Sequence, residues 1–161
     1  MKILGVDPGL GITGYGILEI NTPGYSLIEA GIIKSPPSVP LPQRLNKIFK
    51  EIKDLVEEYK PSVIVLEELY SHYKHPRTSI LMGHARGIVC LISGLYNIPL
   101  KGYSATRIKK AITGRGHASK DQVKEMVKQI LGIKDMPKFH DVSDALALVL
   151  GHIQMAEGVY R

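Results

Sequence analysis

Residues 1–34 constrain the fold most, because they contain three strand-like segments with no room for a helix between them. Lys2–Asp7 is a short apolar run typical of a buried strand, and residues 14–20 and Tyr25–Lys34 are two further strand-like segments. The turn residues Asn21-Thr22-Pro23-Gly24 separate the second segment from the third. Three adjacent strands joined by short turns predict an antiparallel meander.

Helical and strand patterns alternate through the rest of the chain. Leu41–Tyr59 has apolar residues at helical spacing with charges on the opposite face, which predicts a long amphipathic helix. An unbroken apolar run at residues 62–66 predicts a strand buried on both faces. Residues 78–97 predict a second helix, apolar nearly all round, followed by a strand at 99–103 and a short helix at 105–112.

Two more helices are expected near the end of the chain. Ser119 and Gln122 have the spacing of a capping box, which predicts a helix that Gly132 ends, and Asp141 opens the last helix. We therefore expect an α/β protein with a mixed five-stranded sheet, an antiparallel meander plus parallel strands, flanked by helices. A length of 161 residues, with no stretch resembling a linker, fits one domain over residues 1–161.

The positive charge is concentrated in one part of the chain. The protein has a formal net charge of +6. Residues 69–120 contain nine Lys or Arg and no Asp or Glu, so this window carries +9 and the remainder −3. A solvated basic surface normally intersperses acids. Their absence over this length indicates a polyanionic partner such as nucleic acid.

Two clusters inside this window are candidate nucleic-acid contacts. Residues 69–77 interleave aromatic rings, which can stack on unpaired bases, with cations, which can hold phosphates. The second cluster surrounds residues 107–117. The alternatives are a solvated polar loop for the first and a helix with ordinary surface lysines for the second. The candidate DNA-binding residues are Tyr70, Tyr73, Lys74, Arg77, Arg107, Lys109, Lys110, Arg115 and Lys120.

Acidic residues end both of the strands that are expected to be buried. Asp7 ends the first strand, and Glu67 and Glu68 end the strand at 62–66. The glycines after Asp7 match G-x-G-x-x-G, but a strand follows them instead of the helix that a dinucleotide site requires. A carboxylate at the core boundary is costly unless it is paired or bound to metal. Adjacent strand residues face opposite sides, so only one of Glu67 and Glu68 can join a given site.

Asp141 and Asp144 stand at i and i+3 and so share one face of the last helix. Acids in a first helical turn also have a purely structural role, because they stabilise the helix dipole. Taken with Asp7 and the strand-end glutamates, however, they suggest a carboxylate cluster that binds Mg²⁺ or Mn²⁺. Two such ions can promote phosphodiester hydrolysis. An acidic metal site beside a basic surface is what a nuclease requires.

The chain resembles the RuvC family, the bacterial Holliday-junction resolvases of the ribonuclease H-like fold. The resemblance covers nearly the whole chain and includes Leu66-Glu67, Tyr103, Ala105, Lys109, Gly114, Gly116, Ala118, Lys120 and Gln122-Val123. Four longer motifs also carry it, namely Gly5-Val-Asp-Pro-Gly9, Gly14-Tyr-Gly16, Gly83-His-Ala-Arg-Gly87 and Asp141-Val-Ser-Asp-Ala-Leu-Ala147.

The resemblance implies an endonuclease that nicks a four-way DNA junction symmetrically in two strands of like polarity and leaves 5′-phosphates. It implies that Asp7, Glu67, Asp141 and Asp144 are metal ligands, with Glu67 preferred over Glu68 for its place in the motif. The implied cofactor is Mg²⁺, with two ions per site and Mn²⁺ as a substitute. Lys109 and Lys120 would lie near the scissile phosphate, and Tyr70 would stack on junction bases.

The resemblance also implies a homodimer and the partners RuvA and RuvB. Two symmetric nicks need two equivalent sites, which a twofold axis supplies. The apolar helix around residues 83–87 is a candidate interface, although it could equally be buried within one subunit. Two other classes of protein remain as alternatives. An actin-like nucleotide-binding protein shares the first strands but needs two lobes, and a non-catalytic junction-binding protein would not need the four acids.

Cysteine content and the N-terminus predict the compartment. The single cysteine, Cys90, allows no internal disulfide and lies in an apolar run that predicts a core position. The N-terminus has no signal-peptide pattern. The longest uncharged apolar stretch, residues 87–100, is shorter than the roughly 20 residues that a membrane-spanning helix needs. We therefore expect a cytoplasmic protein.

Overall fold

The three N-terminal strands form the predicted meander in a computed structural model, which describes residues 1–21, 24–69, 76–134 and 139–156. The strands are β1 (Lys2–Asp7), β2 (Ile12–Ile20) and β3 (Tyr25–Lys34). β2 pairs antiparallel with both β1 and β3. The second strand begins two residues earlier than the sequence predicts.

Two parallel strands complete the sheet. β4 (Val63–Glu67) pairs with β1, and β5 (Leu100–Tyr103) pairs with β4, both in parallel. The strand order β3-β2-β1-β4-β5 places β1 and β4 at the centre. Their carboxyl ends therefore meet at one edge of the sheet. The predicted mixed five-stranded sheet is confirmed.

Five helices cover the two faces of the sheet. They are α1 (Leu41–Tyr59), α2 (Pro76–Tyr96), α3 (Ala105–Thr113), α4 (Lys120–Leu131) and α5 (His140–Met155). α1 and α2 pack over one apolar cluster, which includes Leu4, Val6 and Leu66. α3, α4 and α5 pack over the other cluster, which includes Ile3, Val65 and Leu146. The starts of α4 and α5 are thereby brought to the same side of the sheet.

Local capping signals explain where the helices near the site begin and end. The Ser119 side chain accepts from the Gln122 amide, and the Gln122 side chain accepts from the Ser119 amide, so the predicted capping box is formed. Gly132 follows α4 in the left-handed conformation. The cap makes Lys120 the first residue of α4.

α2 differs from the sequence prediction in one respect. Its inner face buries Ala85, Val89 and Ile92, but its outer face leaves Leu91 51% and Leu95 58% exposed. Cys90 is exposed, so the prediction of a core cysteine is wrong. An all-round apolar helix does not reveal from its sequence which side meets the core. By length and composition, Arg77–Tyr96 could also cross a membrane, a test that core helices pass as well.

Candidate active site

The ends of β1 and β4 supply the first two carboxylates of the site. Asp7 and Glu67 are the last residues of these strands, and the parallel register pairs Val6 with Leu66 just before them. Leu4, Val6, Ile64 and Leu66 are fully buried, and this anchors both strand ends in the core. The topology therefore brings together two acids that are 60 residues apart in the sequence.

Glycines in β1 and β2 allow α5 to lie directly on the sheet. A Cβ atom on Gly14 would stand 2.1 Å from the Asp141 carbonyl oxygen, and one on Gly5 would stand 2.3 Å from that of Ala145. Because neither side chain exists, the backbone of the first turns of α5 rests on the two strands. This close approach brings Asp141 and Asp144 next to Asp7.

Negative charge is concentrated at the site. Burial, followed by the charges of Asp144, Glu67 and Asp141, raises the pKa of Asp7 from 3.8 to about 7. Burial and then Asp144 also raise the pKa of Glu67. The four predicted ligands therefore interact as one acidic cluster.

Two lysines face this cluster. The Lys120 ammonium donates to Asp144 Oδ2 at 2.9 Å, and this bond raises the pKa of Lys120. Lys120 and Lys109 both oppose the rise in the pKa of Glu67. Glu67, Asp144, Lys109 and Lys120 line one pocket of about 140 Å³.

Glu67, and not Glu68, belongs to the cluster. The charges that raise the pKa of Asp7 include that of Glu67. The exposed Glu68 lies along β5, where its Cγ would be 3.1 Å from a Cβ on Gly102. A second pocket of about 520 Å³ is lined by Asp7, both glutamates and Ser79 and Met82 of α2. Glu67 therefore borders two pockets that meet at the end of β4.

The other predicted DNA-binding residues lie on α2, on α3 and just after α3, or outside the described part of the chain. Arg77 is exposed in the first turn of α2, and Arg107 and Lys110 are exposed on α3. The Arg107 guanidinium lies 5.4 Å from the centre of the Tyr103 ring. Arg115 is exposed directly after α3. Tyr70, Tyr73 and Lys74 lie outside the described residues.

Two arginines near the site carry hydrogen bonds that the sequence did not reveal. Arg86 Nη1 donates to the Glu67 carbonyl oxygen, and Arg44 Nη2 donates to the Leu10 carbonyl oxygen at 2.9 Å. Leu10 is in the turn after Asp7. In the sequence, Arg86 belongs to the basic window and to the Gly83-His-Ala-Arg-Gly87 motif. Neither indicates that its side chain reaches a backbone carbonyl.

The chemistry of the donor set suits a hard cation, although the side chains are not closed around one. Among the described residues, no three Asp, Glu, His or Cys side chains form a group that could hold a metal ion as they stand. Mutual repulsion favours such separation, and Lys120 engages Asp144. Burial and the charges of the other three carboxylates raise the pKa of Asp7 to about 7, and the four carboxylates nevertheless match the oxygen ligands that Mg²⁺ prefers. A bound cation would require these side chains to rearrange.

A ribonuclease H-like sheet with an acidic cluster at its edge and lysines alongside defines a nuclease that cleaves phosphodiester bonds. Comparisons with known proteins identify which kind. Residues 3–152 match the family model for crossover junction endodeoxyribonuclease RuvC. The enzyme of that name from Rhodopirellula baltica is 44% identical over 93% of this chain and 85% of its own length. The enzyme from Desulforamulus reducens is 40% identical over 96% and 94%.

Solved structures agree with these relatives. Thermus thermophilus RuvC in complex with Holliday junction substrate has a TM-score of 0.90 and 28% identity, covering 98% of this chain and 96% of its own. The chain belongs to the RuvC family of crossover junction endodeoxyribonucleases. It is a Holliday junction resolvase in a family of metal-dependent nucleases, and the predicted fold, enzyme class and function are confirmed.

Proposed function

We propose that Asp7, Glu67, Asp141 and Asp144 hold Mg²⁺ and that cleavage of the junction takes place at this cluster. The observation that carries the proposal is the charge around Asp7, which is buried among three other carboxylates. A buried carboxylate without a partner destabilises the folded protein, and a bound divalent cation offsets this cost. We propose two ions per site, and Mn²⁺ should replace Mg²⁺ because it prefers the same oxygen donors. When bound, the metal supplies an activated water and stabilises the charge of the leaving oxygen.

The two lysines have a different role from the acids. Lys120 balances the charge of Asp144 and is itself mostly exposed, so its ammonium can bind a DNA phosphate at the site. Lys109 lines the same pocket. Together they attract the phosphate that the acidic cluster would otherwise repel. We therefore place Lys109 and Lys120 next to the scissile phosphate.

The junction arms would contact the basic surface of this part of the chain. Arg77, Arg107, Lys110 and Arg115 are exposed cations, and their charge supports phosphate binding. By family resemblance, Tyr70 stacks on junction bases. Tyr73 and Lys74 are further candidate contacts from the sequence pattern. The similar protein Thermus thermophilus RuvC was solved in complex with a Holliday junction, and this supports junction binding by the present chain.

A homodimer accounts for two symmetric nicks and for the outer face of α2. Two cuts in strands of like polarity need two equivalent sites related by a twofold axis. Ile80, Leu91 and Leu95 are more than half exposed on this face. Gly83 and Gly87 have open space where a side chain would lie. A second copy of the chain packed on α2 would bury this surface.

The remaining parts of the proposal rest on the family. The partners are the branch-migration proteins RuvA and RuvB, the compartment is the cytoplasm, and the cut leaves 5′-phosphates. Copurification with RuvA and RuvB in the presence of junction DNA tests the partners. Religation of the nicked arms by DNA ligase tests the 5′-phosphates.

The experiment that tests the function compares a synthetic four-way junction with a linear duplex of the same sequence. With Mg²⁺, we expect nicks at symmetric positions in two strands of the junction and no cutting of the duplex. Equal cutting of both substrates would indicate a general nuclease. Binding without cutting would favour the non-catalytic alternative.

A further inference from the structure

We propose that Arg86 is a positioning residue that orients Glu67 and couples helix α2 to the metal site. The inference rests on the proposed role of Glu67 as a ligand. Its basis is the bond from Arg86 Nη1 to the Glu67 carbonyl oxygen, at 2.5 Å. The guanidinium thus binds the backbone of the very residue that carries the carboxylate.

The position of Glu67 in the sheet explains why this bond matters. The register between β1 and β4 ends at the Val6–Leu66 pair, so the Glu67 carbonyl lies beyond the last paired residues of that ladder. On the other side, the Glu68 amide donates to the Tyr103 carbonyl at 2.9 Å. The peptide unit between Glu67 and Glu68 is therefore held at both ends, by Arg86 and by β5. Fixing this plane fixes the direction in which the Glu67 side chain leaves the strand.

Arg86 is itself anchored on a rigid part of the helix. Ala85 and Val89 on either side of it are fully buried in the cluster under α1 and α2. The opposite face of the same helix carries the exposed Leu91 and Leu95. A shift of α2 would therefore move the guanidinium and, through it, the end of β4. Arg86 links the proposed dimer face to the catalytic carboxylate.

The test separates this role from a phosphate contact, since Arg86 also lies in the basic window. We expect Arg86→Gln to lower the single-turnover cleavage rate at saturating protein by about 10- to 100-fold. Mn²⁺ affinity, measured by calorimetry without DNA, should fall as well, while junction affinity and its salt dependence stay unchanged. Arg86→Lys should remain impaired, because the lysine side chain is one bond shorter and its ammonium does not reach the position of Arg86 Nη1. Lys47→Gln, on the outer face of α1, is the control and should behave like the wild type.

Three results would overturn the inference. One is a wild-type cleavage rate and Mn²⁺ affinity in Arg86→Gln. Another is weaker junction binding by Arg86→Gln, with the salt slope of binding reduced by about one, together with full recovery in Arg86→Lys. These results would mark Arg86 as a phosphate contact. The third is a lower melting temperature of Arg86→Gln together with a wild-type cleavage rate at temperatures well below that melting temperature. Glu67→Gln distinguishes a failure of the proposed function: if it retains wild-type Mn²⁺ affinity, Glu67 is not a ligand.

Discussion

At the scale of single residues, Asp7 gives the site its pH dependence. Its pKa in the folded protein is about 7, against 3.8 for an ordinary Asp, chiefly because it is buried. Between these values the folded state binds more protons than the unfolded state. The free energy of unfolding of the metal-free protein therefore declines as pH rises from about 4 to 7.

Asp7→Asn should remove the loss of folding stability that ionisation of the Asp7 carboxyl causes as the pH rises. At pH 8 and without metal, we expect the variant to be about 2–4 kcal/mol more stable than the wild type, with the difference vanishing near pH 4. Urea denaturation in EDTA at both pH values measures it. Equal stability of the two proteins at pH 8 would contradict the burial of an ionised Asp7.

Lys120 is the second residue whose removal has a specific consequence. Lys120→Met leaves Asp144 without its cation and removes one of the two ammonium groups that we propose for the scissile phosphate. We expect single-turnover cleavage to fall by about 10- to 100-fold, with a small loss of junction affinity. Lys128→Met, two turns along the same helix, is the matched control. A normal rate in Lys120→Met would remove this lysine from the site.

The four acidic residues were easier to predict from the sequence than the arginines that bind the backbone near them. Asp7 and Glu67 stand out in the sequence because they follow apolar runs, and Asp141 and Asp144 because they share one face of the last helix. The resemblance selected Glu67 over Glu68. Arg86 bonds to the backbone carbonyl of a strand-end residue and Arg44 to one in the turn after β1, and any residue type has such a carbonyl. Although Arg86 lies in a family motif, no sequence pattern indicates these hydrogen bonds.

At the scale of secondary-structure elements, the contact of α5 with β1 and β2 builds the site. Gly14→Ala would force a Cβ against the Asp141 carbonyl. We expect it to lower the free energy of unfolding by about 1–3 kcal/mol and to reduce cleavage. Gly11→Ala, in the turn just before β2, meets nothing within 4 Å and should leave both the stability and the cleavage rate unchanged. Denaturation and cleavage assays on the pair test the contact, and equal behaviour of the two variants would refute it.

The elements themselves differ in how far sequence alone predicts them. α1 has a clear amphipathic period and its bounds were predicted to the residue. α2 is apolar on all sides, so its sequence left open whether the outer face is buried, and Cys90 was misplaced for that reason. The approach of α5 to the meander is a contact between residues more than 100 positions apart, which local periodicity does not report.

At the scale of the whole molecule, the outer face of α2 predicts the oligomeric state. The double substitution Leu91→Glu and Leu95→Glu would place two charges on the proposed interface. We expect a dimer for the wild type and a monomer for this variant by light scattering. Ile28→Glu, an exposed apolar residue on the edge strand β3, is the control and should remain dimeric.

The Leu91→Glu and Leu95→Glu double variant also tests whether cleavage of the junction depends on the dimer. A monomer has one acidic cluster, so we expect it to lose paired nicking of the junction while its overall fold is retained. A variant that stays dimeric would show that the second copy binds elsewhere on the surface.

The most direct test of the central claim is junction cleavage by Asp7→Asn in saturating Mg²⁺. The claim is that the acidic cluster cuts while a separate basic surface binds. We predict that the variant binds the four-way junction at least as tightly as the wild type and does not nick it. Asp54→Asn, an exposed acid on α1, should cut at the wild-type rate. Cleavage by Asp7→Asn at the wild-type rate would contradict the account.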